Sequence, residues 1–123
     1  MSRCNKISPH DLGKLGERFA IDYLKRKKYK IVKKEFRLFR GDIDIIAYDK
    51  NVLVFCEVKT RRGNRFGRPE ESVHLSKQKQ IRKIAQGFIS MNRQDQVECR
   101  FDILALNYSD KEGFKVTHFK DAF

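Results

Sequence analysis

From Asp11 the apolar residues Leu12, Leu15, Phe19 and Tyr23 recur at steps of three and four, the period of an amphipathic helix. Asp11 is suited to cap its start, and the basic run at residues 25–28 suits the negative end of its dipole. The period then shortens. Residues 29–37 read as a strand, and residues 42–48 and 52–60, rich in Ile, Val and Phe, as two stronger ones. Asp49, Lys50 and Asn51 form a tight turn between these two, which predicts an antiparallel hairpin. Residues 61–70 carry two glycines, a proline and four arginines, the composition of a mobile basic loop. A second helix is expected from residue 71 or 72 to residue 91, with the stripe Val73, Ile81, Ile84, Phe88 and Met91 and with Lys77 in its middle. Residues 99–107 and 114–119 complete the strands. Residues 1–10 read as a flexible tail and 11–123 as a single domain. The order helix, three strands, helix, one or two strands predicts an α/β three-layer sandwich around a mixed sheet.

Composition narrows the choice of partner. The chain has 123 residues, a net charge of +12 and a pI near 9.8. Such an excess of Lys and Arg neutralises phosphates and favours sequence-independent binding to nucleic acid. A solvated basic surface with no specific partner is the simpler reading of the charge, and an anionic membrane would also attract it, but no amphipathic helix shows a large exposed apolar face. Cys4, Cys56 and Cys99 are too scattered for a zinc site or disulfide framework, and Cys56 reads as core. His10, His74 and His118 form no ligand spacing. The start is polar, unlike a signal peptide, and the apolar run at 52–56 is far too short to cross a bilayer. A cytoplasmic, reduced protein without membrane association is expected.

The chemistry concentrates in residues 41–61. Glu57 and Lys59 alternate onto one face of their strand with Leu53 and Phe55. An antiparallel hairpin sets Asp44 opposite Phe55 or Glu57, which leaves the two carboxylates directly opposed or diagonal, within roughly 8 Å. Carboxylates that close repel unless a cation lies between them, and a hard divalent ion with oxygen ligands fits. Lys59 can then orient a water or neutralise charge developing on phosphate. An exposed ion pair of Glu57 and Lys59, with Asp44 solvated at an edge, is the simpler account of the same residues. Against it, Asp44 and Glu57 interrupt otherwise apolar strands.

The spacing Asp44 … Glu57-x-Lys59 resembles the PD-(D/E)xK nuclease superfamily, whose restriction-endonuclease-like core has the same element order. More closely, the chain is similar to the YraN-like family of small bacterial endonuclease-like proteins. The resemblance spans about residues 11–105. It rests on Gly13, Gly16, Glu17 and Ala20, on Gly41-Asp42-Ile43-Asp44, on the run from Phe55 to Arg61, on Lys77, Ile81 and Ala85, and on Arg100-Phe101-Asp102. The chain departs from the family pattern at Asp42 (usually Glu), Glu35 (often Asn) and Lys28 (often Gly), none of them in the catalytic set.

The resemblance implies that Asp44, Glu57 and the carbonyl of Val58 bind Mg²⁺ or Mn²⁺ and that Lys59 is the catalytic lysine. It also implies that Glu17 reaches the metal region, and Asp102 is carried over only as a supporting carboxylate. Lys77, costly on an apolar stripe, is expected to reach the site or a phosphate rather than snorkel. Lys25, Lys27, Lys28, Arg37 and Arg40 on one side, and Arg61, Arg62, Arg65 and Arg68 on the other, are expected to line one cleft that tracks a phosphate backbone, with Phe66 available to stack on an unpaired base. The implied function is a divalent-metal-dependent nuclease acting on DNA in preference to RNA. A nucleic-acid-binding accessory protein with little turnover, on the same fold, is the alternative. A homodimer is left open, because junction-cutting relatives are dimers.

Overall fold

The computed structural model describes residues 7–63, 73–93 and 96–123. A helix, α1 (Pro9–Arg26), precedes three strands, β1 (Lys30–Leu38), β2 (Gly41–Asp49) and β3 (Val52–Arg62). A second helix, α2 (Leu75–Met91), then leads to β4 (Glu98–Ser109) and β5 (Gly113–Phe119). The strands form one five-stranded sheet in the order β1-β2-β3-β4-β5. All neighbours are antiparallel except β3 and β4, which are parallel because α2 carries the chain back between them. With a helix on each face, the molecule is the expected three-layer sandwich of restriction-endonuclease-like type.

The first helix begins two residues earlier than its apolar period suggests. Ser8 is the N-cap, its hydroxyl accepting from the Asp11 N–H at 3.1 Å, and Pro9 follows at the first helical position. Asp11 instead adds favourable negative charge in the first turn. The buried stripe is also rotated: Leu12, Gly16, Ala20 and Leu24 face the sheet, while Leu15 is exposed. The reason is close approach. A Cβ on Gly16 would collide with the side chain of Thr60 on β3, so the smallest residues are the ones turned inward.

Each sheet face has its own core. Ala20 and Leu24 of α1 pack with Ile45, Ala47, Val54, Cys56, Leu104 and Leu106. Ile81, Ile84, Ala85 and Phe88 of α2 pack with Ile43, Ile46, Leu53, Phe55 and Ile103 on the other face. Val73 is buried just ahead of α2, whereas Met91, expected to end the apolar stripe, is 64% exposed on the last turn. The β2–β3 turn is tighter than expected, with Asp49 paired to Val52 and only Lys50 and Asn51 between them. Arg61 and Arg62 lie in β3, not in a loop.

Candidate active site

Strict alternation along β2 fails at one place. Ile46 and Ile43 belong to the α2-side core, while Ile45 and Ala47 belong to the α1-side core, so the face changes around Asp44. The ladder to β3 ends there too: its last pair is Ile45 with Cys56. Continuing that register would set Asp44 opposite Glu57, but the Asp44 side chain enters the gap and its Oδ2 accepts from the Val58 backbone N–H at 2.7 Å. Glu35, across from Asp44 on β1 between the pairs Lys34–Ile45 and Phe36–Ile43, has a positive φ of 50°. The sheet is therefore irregular on both sides of Asp44.

Glu57 is only 5% exposed and its Oε2 accepts from Lys77 Nζ at 2.9 Å. Removal from water lifts the Asp44 carboxyl to about 8, helped by the adjacent Glu57 carboxylate and opposed by the Val58 N–H. Glu57 is close enough to hydrogen-bond the Asp44 carboxyl. Glu17 reaches the same region from α1: burial raises its pKa, and the charges of Glu35, Asp42 and Glu57 raise it further. The Gly16 approach to Thr60 brings this residue in. Burial lowers the Lys77 pKa, but its hydrogen bond to Glu57 and the charges of Glu57, Asp44 and Asp42 outweigh that and leave it raised. Glu17, Glu35, Asp42, Asp44 and Glu57 thus form one acidic cluster at this end of the sheet.

The donor set fits a hard divalent ion. Asp44 and Glu57 offer carboxylate oxygens, and the Val58 carbonyl, beyond the last β2–β3 pair, turns to the same side as its N–H. Among the described residues no group of three or more His, Cys, Asp or Glu side chains is placed to hold a metal ion. Two carboxylates and a carbonyl suit Mg²⁺, which dehydrates reluctantly and keeps several waters. Lys59 follows on the same strand, half-buried.

The basic residues divide. Arg37 and Arg40 line a pocket of about 580 Å³ with Leu38, Gly41 and Asp42, beside the carboxylates. Lys28 lies instead with Lys30, Lys50 and Arg93 around a pocket of about 960 Å³. Lys27 shares a neighbouring pocket of about 600 Å³ with Lys50 and Lys120. Both pockets are at the β2–β3 turn, the opposite end of the sheet, because α1 runs from the site to that turn. The single cleft expected from sequence order is thus split into two basic ends. Lys25 is exposed in the last turn of α1, on the same side as Lys27 and Lys28. Arg61 is exposed near the end of β3. Arg62 is committed to Asp110 at 3.0 Å and the Ile7 carbonyl at 3.1 Å, and it lies over the Tyr108 ring. Arg65, Phe66 and Arg68 lie outside the described residues. Sequence reasoning missed Glu35 and Asp42 as parts of the acidic cluster. A lone acid in a basic strand carries no periodic signal.

Asp102 lies on the other face of the sheet, 0% exposed. It accepts from Arg100, from His118 Nε2 at 2.7 Å and from the Asp121 N–H, while Tyr23 Oη bonds His118 Nδ1 at 3.1 Å. Its neighbours tie β4, β5 and α1 together and do not reach the carboxylate pair.

Residues 16–106 match the Uncharacterised protein family UPF0102. The chain belongs to this family. It is 48% identical to a UPF0102 protein of Thermodesulfovibrio yellowstonii over 113 residues, covering 92% of this chain and 96% of that one. A UPF0102 protein of Caldanaerobacter subterraneus is 43% identical, with 96% and 98% covered. One from Clostridium beijerinckii is 38% identical, with 100% and 98% covered. The UPF0102 match runs from the glycine that seats α1 to the end of the β4 core, and so includes every residue of the carboxylate pair and Lys77. Among the described residues no helix is long and apolar enough to cross a membrane.

Proposed function

We propose that this UPF0102 chain is a divalent-metal-dependent phosphodiesterase acting on nucleic acid, DNA in preference to RNA. The observation that carries the proposal is the contact between half-buried Asp44 and buried Glu57 at the point where β2 and β3 part. Two carboxyls so placed weaken the fold unless a cation joins them, which is a cost kept for a site. Asp44, Glu57 and the Val58 carbonyl would hold Mg²⁺ or Mn²⁺, which supplies positive charge to the phosphate and makes a bound water acidic. Lys59 lies two residues beyond Glu57 and would orient the attacking water or neutralise charge developing on the phosphate. Lys77 neutralises Glu57 until the ion arrives, and is then free to meet a phosphate oxygen. Arg37 and Arg40, which line the pocket beside Asp42, would meet phosphates of the bound nucleic acid.

The Lys77–Glu57 ion pair also favours a second possibility, a binder with little turnover, because an ammonium already satisfies Glu57. Glu57→Ala separates the two. On a panel of linear, nicked, branched and single-stranded substrates with Mg²⁺ or Mn²⁺, the variant is expected to lose cleavage while its nucleic-acid affinity stays equal or rises slightly. A carboxylate repels phosphate unless a cation bridges them. A wild type that binds tightly but cuts nothing with either metal establishes the binder instead, and cleavage surviving in Glu57→Ala places the chemistry elsewhere.

A further inference from the structure

The β1–β2 hairpin turns through Phe39 and Arg40, both at positive φ, 54° and 61°. Two-residue loops of this kind favour Asn, Asp and Gly, since a bulky side chain is disfavoured in the left-handed region. A phenylalanine there needs a reason, and core packing is not it. Phe39 is 51% exposed. Nor is the ring loose. Lys83 Nζ lies 5.0 Å from its centroid, and a Cβ on Gly87 of α2 would come within 3.0 Å of its Cε2. One edge of Phe39 is thus seated on α2 at a glycine with Lys83 over the ring, and about half of the residue is open to solvent.

Its surroundings are cationic. Arg40 is the next residue, Arg37 shares the adjoining pocket with Gly41 and Asp42, and Lys83 stands over the ring. This turn belongs to the same end of the sheet as the carboxylates. Along α2, Lys77 meets Glu57 and Gly87 meets Phe39, ten residues and about 15 Å apart on a helix. A strand with a phosphate at Asp44 and Glu57 can therefore pass the Phe39 ring a few nucleotides away.

We infer that Phe39 is a stacking platform for an unpaired nucleobase, with Arg37, Arg40 and Lys83 meeting the flanking phosphates. The inference rests on the phosphodiesterase proposal and specifies its substrate class: a strand with unpaired bases beside the scissile phosphate, as in a fork, flap or single strand. In continuous duplex both faces of each base are covered by neighbours, and no face is free for the ring. An aromatic ring within a basic groove accepts bases of any identity, so sequence selectivity is not expected.

The test is binding without metal, in EDTA, by fluorescence anisotropy with single-stranded, forked and blunt duplex oligonucleotides of equal length. Wild type is expected to prefer the first two by about tenfold, the range of one base–aromatic stack. Phe39→Asn removes the ring yet suits the positive φ, so its melting temperature should hold or rise while fork and single-strand affinity falls about tenfold and duplex affinity stays within twofold. Phe39→Trp should retain the preference. Equal wild-type affinity for all three substrates, or an equal loss on all three in Phe39→Asn, overturns the inference and leaves the metal site untouched. Failure of wild type to bind any of them overturns it together with the nucleic-acid proposal.

Discussion

Asp44 and Asp102 are both drawn out of water, and their partners drive them in opposite directions. Burial pushes the Asp102 carboxyl up, but hydrogen bonds from His118, Arg100 and the Asp121 N–H outweigh it and leave it below the ordinary value. A depressed carboxylate stabilises the fold above its unfolded pKa of about 3.9, and that contribution is lost as pH falls through the lower folded value. Asp102→Ala leaves Arg100 and His118 without their buried partner and is expected to cost about 3 kcal/mol at neutral pH. Urea denaturation at pH 7 and again near pH 3 checks both parts: the gap between variant and wild type should narrow in acid. Asp44 behaves oppositely. Its folded value near 8 lies above the ordinary 3.8, so its favourable contribution is complete below about pH 4 and is lost as pH rises towards 8 in metal-free protein. Asp44→Asn keeps an acceptor for the Val58 N–H but cannot ionise. Metal-free Asp44→Asn should therefore be more stable than wild type at pH 8 and similar to it near pH 4. Equal stability differences at the two pH values would show that Asp44 is no burden to the fold.

At the scale of elements, the decisive contact is between α1 and β3. Gly16 and Ala20 let the helix lie close over Thr60, and that depth carries Glu17 towards the carboxylate pair. Gly16→Val inserts atoms where Thr60 already stands, and overpacking of this kind costs roughly 1–3 kcal/mol. Chemical denaturation should show that loss, and the UPF0102 variant should also lose cleavage more than binding, because lifting α1 moves Glu17 and leaves Arg37 and Arg40, which lie on β1 and its turn, in place. The apolar period of α1 pointed to Leu15, which is exposed. Hydropathy weighs size, whereas contact with a sheet here depends on the absence of side chains.

Over the whole molecule, positive charge gathers at both ends of the sheet, with the acidic cluster at only one. Lys28, Lys30, Lys50 and Arg93 stand away from the carboxylates and can hold a phosphate backbone without opposing them. Binding by this chain of net charge +12 should be steeply salt-dependent. If six or more phosphates are neutralised, affinity falls by on the order of 10³ between 50 and 200 mM salt. An affinity that hardly changes over that range, measured by anisotropy, would remove the phosphate backbone as the main contact.

Strand identity, the β2–β3 hairpin and the closeness of Asp44 to Glu57 were legible in the sequence, because hairpin register and turn residues are local properties. So was the need of Lys77 for a partner, met by Glu57, since a cation on an apolar stripe is costly alone. The kink at Asp44 was not legible: it depends on where the β2–β3 ladder stops, and Glu35 on a different strand shares it. Nor was the separation of Lys27 and Lys28 from Arg37 and Arg40, because neighbours in sequence are carried to opposite ends by one strand's length. Phe39 drew no attention as one apolar residue in a basic stretch. Only its seat on Gly87 and its positive φ, both products of how β1, β2 and α2 meet, set it apart. Sequence determined which residues carry charge and that β2 pairs with β3, through interactions between near neighbours. Tertiary structure decided which charges share a space, because distance across a fold is set by packing.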